Sequence, residues 1–152
     1  MLQNTGRLAL CLAIVGFALP AFGLEATTII VAQPDAPLKI TKYTAAYQAS
    51  TRYATEGIRH SVEYVSVADR GIVAAQIGLV SFDVWNEFMN RTGGVSMDEM
   101  APGANSKGTW IAQAYAEFSF LTGVAYVARV RFADGTIWSA NMDEIVGELR
   151  KI

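Results

Sequence analysis

Hydrophobic and polar positions alternate with period two through much of this chain, and a period of 3.6 emerges only at its end. Trp110, Ala112, Ala114, Ala116, Phe118 and Phe120 alternate with Ile111, Gln113, Tyr115, Glu117 and Ser119. After a break at Thr122-Gly123, Val124, Tyr126, Ala128, Val130 and Phe132 alternate with Ala125, Val127, Arg129 and Arg131. Side chains of a strand point to opposite faces in turn, so both segments read as strands with one face on a core. Asp134-Gly135 then predicts a type I′ hairpin, whose central residues both need positive φ. That turn sets Phe132 opposite Ile137 and Arg131 opposite Trp138, with the guanidinium across the indole ring.

Upstream, residues 59–67 (RHSVEYVSV) alternate with a slip of phase near Tyr64, as at a bulge. Residues 68–71 (ADRG) form a turn. Residues 72–82 (IVAAQIGLVSF) are apolar on both faces, the pattern of a central strand covered from two sides. Residues 29–32 and 38–40 are short β-prone pieces around Pro34-Asp35-Ala36-Pro37. Residues 43–54 (YTAAYQASTRYA) fit two readings. A strand places Tyr43, Tyr47 and Tyr53 on one face, and a helix pairs Tyr43 with Tyr47; the flanking strands favour the former. Residues 85–109 are rich in turn formers (Thr92-Gly93-Gly94, Ala101-Pro102-Gly103) and read as a long connection between sheets. A short helix closes the chain, with Asn141 as N-cap, Glu144 three residues on, and Ile145 and Leu149 on one face.

The N-terminus changes the picture of location. A polar, singly positive stretch (Asn4 to Arg7) precedes twelve apolar residues, 8–19 (LALCLAIVGFAL), and Pro20 breaks the run. Ala21 and Gly23 place small residues at −3 and −1 of a cut before Leu24. The run is shorter than the roughly 20 residues a spanning helix needs. Leu10, ahead of Cys11, departs from the small residue that a lipoprotein signal places there. The expectation is a signal peptide over 1–23 and a single domain over 24–152, exported to the periplasm or beyond, with no membrane span left after cleavage.

Cleavage removes the only cysteine and leaves 129 residues, enough for one self-sufficient core without disulfides. It also leaves 11 basic against 14 acidic side chains, a net charge of −3, with no basic run. That balance disfavours nucleic acid as a partner. Several short strands, frequent turns and one late helix indicate an all-β, two-sheet antiparallel β-sandwich. The strand at 62–67, the turn at 69–71, the strand at 72–82 and the crossing at 100–103 (MAPG) resemble exported immunoglobulin- and fibronectin-III-like domains. The Cys–Trp–Cys core of antibody domains is absent. The resemblance implies recognition or scaffolding rather than catalysis.

Candidate chemistry is sparse. His60 is the only histidine, and Ser61 beside it points to the opposite strand face, so no Ser–His pair forms there. Met89, Met97, Met100, Met142 and His60 are of the soft type that binds copper(I), but methionine more often fills gaps in cores. Asp83, Glu87, Asp98 and Glu99 lack the spacing of a calcium loop and read as solvated loop charges. We therefore expect no catalytic residue, no metal and no cofactor. The binding candidates are aromatic: Trp85, Phe88 and Trp110 around the long connection, and the Tyr43, Tyr47, Tyr53 stripe. The leading expectation is a non-enzymatic domain that binds another envelope or extracellular protein. A carbohydrate- or small-ligand-binding module is the alternative, and a hydrolase using Asp83 and Glu87 is a remote one.

Overall fold

A computed structural model describes residues 26–112 and 120–152, which form eight strands and one helix. The strands are β1 (Thr27–Ile30), β2 (Leu38–Gln48), β3 (Gly57–Ser66), β4 (Ile72–Asp83), β5 (Phe88–Ser96), β6 (Asn105–Ala112), β7 (Phe120–Phe132) and β8 (Ile137–Ser139); α1 spans Met142–Leu149. The expected leader, Cys11 and part of the strand expected from Trp110 onward lie outside the described residues. Among the described residues no helix is long and apolar enough to cross a membrane.

Two sheets carry the chain, as the alternation predicts. One has the antiparallel order β2-β3-β6. In the other, β5, β4 and β7 lie in antiparallel sequence. The second edge of β7 is shared. β8 pairs antiparallel with residues 129–131, and β1 pairs parallel with residues 122–125. The parallel pair corrects the all-antiparallel expectation. β8 is three residues long, so it leaves half of the β7 edge open, and β1 occupies that half.

The larger sheet is a middle layer. Ile77, Leu79, Ala125, Val127 and Val130 face Leu38, Tyr43, Ile58, Val62 and Tyr64 of the other sheet in one core. Val80, Phe82, Val124 and Tyr126 point the other way, into a second core under Ile145 of α1. β4 is thus covered from both sides, which explains its two-sided apolar run. Each fully buried Val, Ile or Leu here contributes roughly 1.5–3 kcal/mol over an exposed one. Asn141 caps α1, its side chain accepting from the Asp143 N–H, and its Nδ2 donates to Glu144 Oε1 at 2.9 Å.

Several local expectations are corrected. β3 alternates without a slip, burying His60, Val62, Tyr64 and Ser66; the irregularity lies opposite Tyr64 on β2, between Ile40 and Lys42. β2 stops at Gln48, so Tyr53 is not on its face. The connection read at 85–109 contains β5, and the crossing between sheets shrinks to residues 97–104. Gly93 and Gly94, read there as turn formers, lie inside the strand: a Cβ on Gly94 would stand 2.2 Å from the Trp110 ring of the facing sheet. Thr122-Gly123 does not break β7 either. A Cβ on Gly123 would meet the Tyr43 hydroxyl at 2.4 Å, so the glycine serves close approach, not a turn.

The β7–β8 hairpin forms around Asp134-Gly135, but one residue out of the expected register. Arg131 faces Ile137 and Val130 faces Trp138. Only Gly135 has positive φ (87°), so the turn is of the wider, glycine-bulged kind and not type I′. The arginine over an aromatic ring is Arg70, 3.8 Å from the Phe132 centroid, and it also pairs with Asp134 at 2.5 Å.

Candidate functional site

The expected aromatic candidates separate into two environments. The β2–β3 loop and the β4–β5 turn emerge at the same end of the two sheets, because β3 runs away from that end and β4 returns to it. There Trp85 is 80% exposed, Phe88 63% and Tyr53 89%. Tyr43 is buried, and Trp110 is half-buried between the sheets, over Gly108 and against Gly94. Tyr47 is half-buried and donates to Glu56 Oε1 at 2.6 Å. The tyrosine stripe therefore does not line one surface.

Trp85 projects from a turn that Asp83 builds. One carboxylate oxygen of Asp83 accepts from the Trp85 and Glu87 N–H groups, each at 2.8 Å. The Asn86 N–H donates to the Asp83 carbonyl at 3.1 Å, and Asn86 takes the left-handed conformation (φ 60°) that closes the turn. Asn86 Nδ2 donates to the Ile152 carbonyl, tying the turn to the chain end. Phe88 meets Phe82 edge-to-face at 6.4 Å, so its ring is braced by the second core while most of it stays in contact with water. Two apolar rings are thus presented on a pinned backbone, an arrangement that loses little entropy on binding.

Tyr53 sits on the neighbouring loop. Its N–H donates to Thr51 Oγ1, and the Arg52 guanidinium lies 5.8 Å from the ring centroid. Residues 50–56 surround a shallow depression of about 600 Å³.

Inside, the structure joins Tyr43 and His60, a pair that sequence reasoning missed. Alternation in β2 and β3 already pointed both inward; only the register, Tyr43 opposite Val62 and Ala45 opposite His60, sets them side by side. The Tyr43 hydroxyl and His60 Nδ1 are 2.8 Å apart with nearly parallel rings. Burial pushes the His60 pKa down to about 4 and raises that of Tyr43, because charge in a dry interior loses its hydration. With the imidazole neutral, a phenol donating to Nδ1 leaves the ring proton on Nε2, which has no partner among the described residues. His60 and Tyr43 are buried between the two sheets.

The remaining candidates are dispersed. Met100 is in the inner core, Met142 packs by α1, and Met97 is exposed. Asp98 accepts from Ser96 and Ser106. Among the described residues no three His, Cys, Asp or Glu side chains converge as a metal site would need.

No protein-family model and no curated protein matches the chain. A solved structure is similar to it: a hypothetical protein from Peptoclostridium difficile 630, at a TM-score of 0.51 and 12% identity. The alignment covers 76% of this chain and 92% of that one. At that identity the similarity concerns the fold alone.

Proposed function

We propose that this chain is an exported, non-enzymatic domain of fibronectin-III-like type that binds another envelope or extracellular protein through the end bearing Trp85 and Phe88. The strand order supports the type. β2-β3-β6 and β5-β4-β7-β8 correspond to A-B-E and C′-C-F-G of such sandwiches, with β1 and α1 as additions. Export rests on the leader pattern of residues 1–23.

The observation that carries the binding reading is the exposure of Trp85 and Phe88 on a turn pinned by Asp83. Tryptophan leads the residue types that anchor protein interfaces. The test compares capture from envelope extract by the wild-type chain and by the Trp85→Ala/Phe88→Ala variant. A defined partner retained by the wild type and lost from the variant is expected; equal capture by both refutes the surface. Export has its own readout: the N-terminal residue of the protein recovered outside the cytoplasm should be Leu24, and retention of the intact leader inside the cell would oppose it.

A further inference from the structure

A different feature lies on the outer face of the larger sheet, beside α1. A groove of about 500 Å³ runs across β4, β5 and β7. Its floor is low because Gly78 and Gly93 pair across β4 and β5. The space a side chain would take at Gly78 belongs to the Tyr126 ring, 2.1 Å from an ideal Cβ, and that at Gly93 to Gln76 Nε2, 2.5 Å away. A volume of this size holds a small molecule rather than a few waters.

The walls are cationic. Arg91 and Arg129 stand on β5 and β7, and no aspartate or glutamate lines the groove. Arg91 lies 5.9 Å from the Tyr126 ring centroid, and its Nη2 approaches Met142 Sδ at 3.8 Å. Among the described residues neither arginine is in an ion pair, whereas Arg70 is paired with Asp134. In a chain of net charge −2, two arginines without carboxylates in one groove make a local exception. Ser139, paired with Arg129, adds a hydroxyl to the lining, and the β5 backbone at Thr92 completes it. The Tyr126 hydroxyl, buried below, has no hydrogen-bond partner among the described residues.

The backbone itself places Arg129 there. Ala125 and Val127 point into the inner core, so an unbroken alternation would bury Arg129 between the sheets. Instead the register shifts where Gln76 pairs with Arg129 and Ile77 with Val127. Ala128 is the extra residue, and Val130 and Phe132 regain the inner face. Such a bulge re-aims a side chain at a chosen point, here turning Arg129 outward beside Gln76.

We propose that this groove binds a small anionic molecule through a carboxylate or phosphate held between Arg91 and Arg129. The Gln76 amide and the Ser139 hydroxyl, both on the face of Arg129, meet its uncharged polar groups. Guanidinium forks match both oxyanions in geometry and charge, which a neutral sugar does not exploit.

Calorimetric titration of the full chain at constant ionic strength, with inorganic phosphate, citrate and glucuronate, tests this, with glucose as the neutral control. Saturable binding of at least one anion and none of glucose is expected; preference for phosphate or for the carboxylates then tells which oxyanion the ligand bears. Arg91→Gln and Arg129→Gln should each weaken that binding about tenfold or more. Arg129→Lys, which keeps the charge but not the fork, should fall between and guards against a misfolded glutamine variant. Arg131→Gln, on the same strand but outside the groove, should change nothing. Absence of saturable binding by every anion overturns the proposal. So does an equal loss in Arg131→Gln, which would mean diffuse attraction only.

Discussion

Tyr43 and Trp85 are large aromatic residues in β-rich sequence, yet one is sealed between two sheets and the other stands in water at a turn. The difference comes from backbone position, not residue type. Tyr43 lies mid-strand on the inward phase of β2, where its hydroxyl completes a hydrogen bond with His60 and presses on Gly123. Trp85 lies in the turn after β4, where the Asp83 carboxylate fixes the backbone and no layer covers the ring. The interior pair supports the fold, and the exposed ring is free to meet something else.

The largest way to break this contrast is Tyr43→Ala, which removes a buried ring and leaves His60 Nδ1 unpaired. A loss of about 3–5 kcal/mol in the unfolding free energy is expected from denaturant titration. A loss below 1 kcal/mol would mean that the site collapses around the missing ring.

Acid sharpens the contrast next. In the unfolded chain the imidazole takes up a proton near pH 6.5, but in the fold only near 4. The unfolded state therefore binds more protons across that window, and stability falls as pH drops from about 6.5 to 4. The histidine accounts for about 3 kcal/mol of that fall once pH is below both values. Comparing wild type with His60→Asn at pH 7, 5.5 and 4.5 isolates this share; parallel pH profiles would assign acid sensitivity to other groups.

Asp83→Ala should cost about 1 kcal/mol, because the Trp85 and Glu87 N–H groups lose their acceptor but can turn to water. Its larger signature is motion: faster amide exchange confined to residues 84–88. Trp85→Ala is the smallest perturbation of the fold, within about 0.5 kcal/mol by thermal unfolding. A larger loss would show that the ring packs more than its exposure indicates.

Legibility followed the range of the interactions that decide each feature. The two-sided apolar run of β4 and the capped helix were readable because both depend on neighbours within a few residues. β5 was not: an edge strand with glycines at 93 and 94 looks like a turn until the Trp110 ring is known to need that space. The bulge in β7 was hidden because Ala128 suits either face, so the alternation from Val124 to Phe132 reads as unbroken. The arginine pair of the outer groove was invisible for the same reason.

By itself, the order of residues determined that this chain is built mainly of strands, which of them is central, and where the closing helix begins. Those properties follow from local periodicity, turn chemistry and capping. Only the tertiary structure decided which aromatic rings are covered, that Tyr43 meets His60, and that Arg129 turns outward onto the groove that Arg91 also lines. Each of these depends on strand register and layer contact between residues far apart in the chain, and a shift of one position reverses the face on which a side chain lies.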